Sequence, residues 1–434
     1  VEDEGRIAAS ERVFVRILLI ARCPPYPLHL GDRLIVYHLA RTLSARGHAI
    51  DLIAFTSDLD DITFRDSYSD FFASVHLLPE APRSPASVLA RALFPRSRFP
   101  RAESGAWSAE MWQTIRAHIE REQYDIAHVF GGISVYEYAG ALIESGGRAL
   151  PALITPYESY SLYLEREKNT TPSSGVRQTI SRAIRLELAR RYESFMFAPP
   201  PPLPSYRRVV VLSDADADAL RAFNPAHPLC VIPNGVDTAY FAPNADDRAP
   251  AKTVPYLLFL GNYDYAPNAD AARWLMREVM PRVWAVAPAV ALQVVGNAPT
   301  DPMRADAGDD VRIAITGRVP DVRPYYAGAA AFACGLRFGA GIKNKVLEAM
   351  AMGCPVVATP LSADGIAATP EGDIVIADAD PDAFAAALIR VLGDDALQAR
   401  LRTNGRALVE SRYSWEGVAA QYERLYTEIR AESL

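Results

Sequence analysis

Residues 330–359 read AAFACGLRFGAGIKNKVLEAMAMGCPVVAT, and no other stretch limits the fold so narrowly. The run Ala330–Ala333 has the length and composition of a buried strand, and glycines at 335, 339 and 341 mark a loop after it. Helix formers then run from Lys345 to Met352, with Asn344 in the capping place and Gly353 as the stop, and Pro355–Ala358 opens another buried strand. A strand, loop, helix, strand unit of this kind belongs to a parallel α/β sheet. Its loop brings backbone N–H groups and the positive end of a helix to one point, where Lys343 and Lys345 also sit, a combination suited to a phosphate. Glu348 lies on the same helical face as Lys345, within a turn, where the ribose of a nucleoside diphosphate would sit.

The rest of the chain repeats the theme. Val13–Ile20 reads as a strand, the prolines of CPPYPLHLGDR exclude helix until Gly31 or Asp32, and Leu34–Arg46 reads as a helix with Ile35, Leu39 and Leu43 on one face. Ala49–Phe55 returns as a strand and completes a βαβ unit. Ligands of such sheets bind beyond the carboxyl ends of the strands, so Gly31 is a candidate for close approach to a phosphate or sugar. No G-x-G-x-x-G follows this strand, and GAGIKN at 339 lacks the third glycine, which disfavours a nicotinamide enzyme. Strands expected at Tyr256–Leu260, Leu292–Val295, Ile313–Ile315, Val356–Ala358 and Ile374–Ile376 alternate mainly with helical segments and form a second Rossmann-like half. The organisation expected is a tail over residues 1–12, one half over 13–235, a second over 236–414, and a last helix over 415–434 that crosses back. The hinge falls near Pro233–Asp237 or in the loose segment Ala242–Val254.

A chain of 434 residues is too long for one ordinary core, which agrees with two domains. A net charge of -7 argues against nucleic acid as the main partner, because a phosphate backbone needs a dominant basic face. Four cysteines without C-x-x-C spacing indicate neither a zinc site nor a disulfide framework, and no apolar run reaches the roughly 18 residues of a membrane span. With the polar start VEDEGRIAASER, these features lead to the expectation of a cytoplasmic protein.

Several local features carry chemistry. Arg83–Arg101 holds five arginines and no acid, interleaved with leucines, a valine and phenylalanines, which suits an anionic membrane surface at its inner face. Arg177–Arg191 is diluted by Glu187 and reads as a solvated helix face. His128, near the end of the expected strand Ile126–Val129 and just before Gly131 and Gly132, is a candidate to meet substrate, as are Glu158 and Ser159 after the next strand. Asp214, Asp216 and Asp218 have metal-ligand spacing, but they follow Ser213 and read instead as the acidic first turn of a capped helix.

LEAMAMGCPVVAT resembles the signature segment in the second domain of GT-B glycosyltransferases of the retaining family GT4. Further blocks agree in order and spacing: VVVLSDADADAL from Val209, VIPNGVDTAYF from Val231, LGNYDYAPNADAARWL from Leu260, and VVGNAP followed by ITGRVPDVRPYY from Val294. The resemblance spans roughly the whole chain and is more specific in the second half. It implies a GT-B fold, two Rossmann-like doubly wound domains facing across a cleft. It also implies transfer of a sugar from a nucleoside-diphosphate donor to a hydroxyl of a glycan, lipid-linked or small-molecule acceptor, with retention and without a metal, in exopolysaccharide or other glycan assembly. Glu348 would bind the ribose hydroxyls, Gly317, Arg318 and Val319 the base, and Gly261 and Asn262 the phosphates, with Gly31, Gly341 and Ile342 as further donor contacts.

Two departures from the family pattern stand out. Many members carry E-x7-E, whereas the place of the first glutamate is Ala340; and the block after the first strand of the second half, Gly261–Tyr265, lacks the usual Arg and Lys. Lys343 and Lys345 are the expected replacements, and with His128 they make up the catalytic candidates. Alternatives are a sugar-nucleotide epimerase on the same fold and a non-catalytic nucleotide-sugar or glycan-binding module.

Overall fold

The computed structural model describes residues 14–28, 31–56, 60–143, 147, 149–170, 175–243 and 254–433. The expected tail, the start of the first strand at Val13 and most of the loose segment Ala242–Val254 lie outside the described residues. Two sheets organise the chain, and every strand pair in them is parallel.

The first sheet contains β1 (Arg16–Ala21), β2 (Ala49–Thr56), β3 (Ser74–Pro79), β4 (Ile126–Phe130), β5 (Ala152–Thr155), β6 (Arg208–Val211) and β7 (Leu229–Val231). Its order is β3-β2-β1-β4-β5-β6-β7. The second contains β8 (Tyr256–Leu260), β9 (Ala291–Val295), β10 (Ile313–Gly317), β11 (Ala331–Cys334), β12 (Val356–Ala358) and β13 (Val375–Ile376), in the order β10-β9-β8-β11-β12-β13. Chain direction across the sheet reverses between β1 and β4 and again between β8 and β11, the points at which such sheets open a crevice. The central strands are buried on both faces, so they read as near-continuous apolar runs rather than alternating ones.

The helix Gly31–Ala45 buries Ile35, Leu39 and Leu43 together, as their spacing requires. The helix Trp415–Ala431 returns to the first sheet. Tyr426 Oη pairs with His128 Nδ1 at 2.8 Å, Glu423 meets Arg46 and His48, and Trp415 stacks on His38 with ring centroids 5.4 Å apart. The segment Pro233–Asp237 lies beside this return, with Val236 N donating to Tyr413 O at 2.7 Å. A Cβ on Gly235 would stand 2.6 Å from the Trp415 ring, so the chain crosses flat against the indole.

At the end of β9, Gly296 (φ +138°) lets two backbones meet: a Cβ there would lie 1.8 Å from Gly261 O, at the end of β8. The expected cost of Gly296→Ala is therefore at least about 3 kcal/mol, read from the midpoint of urea unfolding. Gly393→Ala, at an uncrowded helix end, should be neutral or slightly stabilising. Equal midpoints for the two variants would contradict the close approach.

Candidate functional site

The loops beyond β1, β4 and β5 converge. Arg22 follows β1, and its guanidinium lies 3.3 Å from Asp32 at the start of the first helix. Gly131, after β4, has φ +127°, and a Cβ there would come within 2.9 Å of the Arg22 side chain and 3.3 Å of Tyr157 Oη, after β5. Tyr157 Oη is buried and has no hydrogen-bond partner among the described residues, and burial raises its pKa well above the usual phenol value. Neither Arg22 nor Tyr157 was singled out by sequence, although Arg22, the first residue after a strand at a direction reversal, carries a signal by its place.

The second half presents the opposite wall. Asn268 bridges two of its loops: Nδ2 donates to Asn262 O at 2.7 Å and Oδ1 accepts from Lys345 Nζ at 2.5 Å. Lys345 also lies 5.1 Å from the Phe259 ring centroid. It is thus turned inward rather than toward solvent, the orientation that a first-turn position left open. Lys343 Nζ is buried and donates to Ala340 O at 2.7 Å and to Gly341 O. Burial lowers both ammonium groups, Lys345 to about 8. Both hydrogen-bond neutral oxygens, and among the described residues neither forms an ion pair. Glu348, one helical turn away, accepts from Tyr326 Oη at 3.2 Å, and burial raises its pKa.

The two halves touch at the glycine loop. A Cβ on Gly341 (φ +68°) would be 3.2 Å from Tyr157 O and 3.4 Å from Glu158 Cβ. Arg166, on the helix Tyr160–Thr170 of the first half, donates to Gly339 O at 3.1 Å and pairs with Asp364 at 2.7 Å. Thr170 Oγ1 donates to Arg337 O at 3.0 Å, and Asn234 Nδ2 to Asn344 Oδ1 at 3.0 Å. Asn344 is therefore the first residue of the helix Asn344–Ala351 and not its cap, since its side chain is engaged with the other half. Glu158 is raised to about 7, because desolvation outweighs the attraction of Lys343.

A glycine loop with two lysines, one helical turn from a carboxylate and facing a second α/β half, has the groups that a nucleotide-sugar enzyme needs. The family described as Glycosyl transferases group 1 matches residues 254–394, and Glycosyltransferase Family 4 matches residues 34–240. The chain belongs to the group 1, family 4 glycosyltransferases.

Its curated relatives include the phosphatidyl-myo-inositol mannosyltransferase of Mycolicibacterium smegmatis, 36% identical over 204 residues, 45% of this chain and 50% of that protein. The MMP alpha-(1->4)-mannosyltransferase of Mycolicibacterium hassiacum is 28% identical over 233 residues, 50% of this chain and 53% of that protein. The chain thus spans about half the length of the curated relatives it matches. Among solved structures, sucrose-phosphate synthase from Thermosynechococcus elongatus superposes with a TM-score of 0.68 at 21% identity, covering 96% of this chain and 100% of that one. The Anabaena protein HepE, solved with UDP-glucose, gives 0.64 at 16%, covering 95% and 100%. WaaG, a glycosyltransferase involved in lipopolysaccharide biosynthesis, gives 0.59 at 15%, covering 95% and 99%. These likenesses establish the GT-B fold.

Within this glycosyltransferase, the candidates from sequence fall into three groups. Gly261, Asn262, Gly341, Lys343, Lys345 and Glu348 are brought together along β8, the glycine loop and its helix, while Ile342 packs under Gly365. Gly317 (φ +70°), Arg318 and Val319 follow β10, the edge strand, with Arg318 exposed; Gly31 opens the first helix with free space where a Cβ would be. His128 stands apart from both walls. It is wholly buried, its ring nitrogens paired with Tyr426 Oη and Thr155 Oγ1 at 2.8 Å each, and burial lowers its pKa to about 3. A neutral imidazole enclosed in this way has no free nitrogen for a substrate and fastens the returning helix instead. Asp216 is likewise committed: it accepts from Ser159 N at 2.9 Å and Ser213 Oγ at 2.5 Å, while Ser213 caps the helix Asp214–Phe223. Arg337 is held by both oxygens of Asp270, at 2.9 and 2.6 Å.

The Glu158 carboxyl keeps a proton up to about pH 7 in the folded protein, whereas an unfolded glutamate releases it near its ordinary value. Its contribution to stability is thus fully present below that ordinary value and is lost as pH rises toward 7. Glu158→Gln should flatten the stability–pH curve across this window by about 1–3 kcal/mol. Thermal unfolding of both proteins at pH 4.5, 5.5 and 7 measures this, and parallel curves would remove the assignment.

Proposed function

We propose that the protein transfers a hexosyl group from a nucleoside-diphosphate sugar to a hydroxyl of a lipid-linked glycan acceptor, with retention at the anomeric carbon and without a metal ion. The observation that carries this reading is the pair of desolvated ammonium groups at the glycine loop, whose hydrogen bonds among the described residues go to neutral oxygens. In the transfer, the bond from the anomeric carbon to the diphosphate oxygen breaks and a bond to the acceptor oxygen forms on the same face. The acceptor proton passes to the leaving phosphate. Negative charge grows on that phosphate as the bond breaks, so Lys343 and Lys345 favour the transition state over the bound donor. Glu348, already accepting one hydroxyl from Tyr326, offers its remaining lone pairs to ribose hydroxyls.

Lipid linkage of the acceptor, rather than exopolysaccharide assembly in general, is supported by relatives that are phosphatidyl-myo-inositol mannosyltransferases. No helix among the described residues is long and apolar enough to cross a membrane, so the acceptor would be met at a surface. The helix Pro85–Leu93 and the residue after it leave Leu89, Leu93 and Phe94 exposed at 47%, 41% and 60%, with exposed Arg96, Arg98 and Arg101 just beyond. Not all five arginines of this segment are free of acids, as the sequence suggested: Arg83 pairs with Glu80 and Arg91 with Glu137, partners that lie outside the segment. The remaining three suit the inner face of an anionic bilayer.

A mass-detected transfer assay with a panel of nucleotide sugars and lipid-linked acceptors tests the reaction. Turnover should survive EDTA, and Glu348→Gln should weaken donor binding about 10- to 100-fold in calorimetry, the worth of a charged hydrogen bond. Donor hydrolysis or epimerisation without any acceptor product would overturn the reading. For the membrane contact, sedimentation with liposomes should need anionic lipid, weaken with salt, and fall in a Leu93→Ser/Phe94→Ser variant. Equal binding to neutral liposomes would argue against it.

A further inference from the structure

Outside the donor loops, the molecule holds a cleft of about 1080 Å³ whose walls come from residues 82–107. Arg91, Arg98, Arg101, Ser97, Ser104 and Trp107 line it, and none of its lining residues is an acid. Cavities that take small molecules span about 300–1,000 Å³, so this one has room for far more than a bare anion.

The floor is fixed by Arg91. Its guanidinium lies 3.9 Å from the Trp107 ring centroid, pairs with Glu137, and donates to Gly105 O at 2.6 Å and Arg98 O at 3.4 Å. Both terminal nitrogens of that fork are engaged, so Arg91 shapes the cleft and its charge is met by Glu137. Arg98 and Arg101 differ: both are exposed, and among the described residues neither side chain has an ion pair. Glu137 also accepts from Tyr192 Oη at 3.3 Å, and it belongs to the 3-10 turn Tyr136–Leu142 that follows Gly131 and Gly132 beyond β4. Gly140 in that turn packs on the cleft wall, where a Cβ would stand 3.1 Å from Pro100 O and 2.8 Å from Trp112. The cleft is therefore braced against the loop that leaves the direction reversal of the first sheet.

We infer that this cleft is a subsite for the phosphate ester of a polyhydroxylated head group, Arg98 and Arg101 holding the phosphate and the serine and Trp107 surfaces meeting the polyol. Two guanidinium groups supply N–H donors of the kind that phosphate oxygens accept, and serine hydroxyls beside the Trp107 ring, one face of which carries Arg91, suit a sugar or cyclitol. The assignment of that head group to the acceptor rests on the proposed transfer to a lipid-linked acceptor.

Calorimetry of the full chain with myo-inositol 1-phosphate, glycerol 3-phosphate and inorganic phosphate separates an ester from a free phosphate, and co-sedimentation with phosphatidylinositol or phosphatidylcholine vesicles adds the lipid source. The expected result is that the inositol ester binds more tightly than inorganic phosphate, and that Arg98→Gln/Arg101→Gln weakens it at least tenfold. Ser104→Glu, which adds a carboxylate to the lining without removing a contact, should do the same. Nucleotide affinity, measured in the same samples, should stay at its wild-type value in both variants, which shows that fold and donor site are intact. Ester binding that both variants retain within twofold overturns the subsite. So does binding to vesicles with none to the soluble esters, and inorganic phosphate equal to the ester removes the head-group assignment. Ester binding in a protein that shows no sugar transfer would sink the acceptor reading and leave the subsite standing.

Discussion

Two ammonium groups held in the interior against neutral oxygens are the arrangement on which the rest of this structure turns. A buried cation without a direct counter-charge is costly, and here it is maintained by covalent and steric constraint from two sides. Lys343 cannot leave its loop, whose carbonyls at Ala340 and Gly341 hold it, and Lys345 is pinned by Asn268, itself bonded to the loop after β8. The carboxylates that bear on these lysines are Glu158, Asp216 and Asp364 for Lys343 and Glu348 for Lys345, and among the described residues none of them forms an ion pair with either ammonium group. If this loop receives the donor diphosphate, as proposed, the positive potential there is already in place, which is the condition for electrostatic stabilisation without reorganisation.

Parallel strands make this possible. Because every strand in both sheets points the same way as its neighbours, all the connecting loops that follow strands gather along one edge of each sheet. The two edges face each other, and Arg166, Thr170, Tyr157 and Asn234 of one half meet residues 337–344 of the other. The last helix, fastened through His128, Arg46 and His48, ties the second half's chain end to the first sheet.

What could be read in advance follows from range of interaction. The strands Tyr256–Leu260 and Val356–Ala358 occur where the apolar runs placed them, since burial on both faces leaves no polar residue to interrupt the pattern. The lysines and Glu348 were legible because one short loop and one helical turn carry them. His128 was misplaced because a strand residue near the carboxyl end has two faces, and only the packing of Tyr426, 298 residues away, determines that this one is sealed. Asn344 looked like a cap until Asn234 claimed its side chain, and the arginines of residues 83–101 looked free of acids because Glu80 and Glu137 lie outside that window.

At the place of Ala340 the loop has no acid of its own and meets one carried by another element. No carboxylate is carried at that position, yet Glu158 of the first half reaches the adjacent Gly341, which has no side chain to keep it out. Desolvation raises this carboxyl to about 7 while Lys343 pulls the other way, so Glu158 changes its charge near neutral pH. A glutamate on the loop itself would travel with the lysines whenever the halves moved. Glu158 belongs to the opposite wall, and its influence on Lys343 exists only while the two walls are together. The charge environment of the glycine loop is thereby tied to the contact between halves, a coupling that follows from which side of the cleft carries the acid.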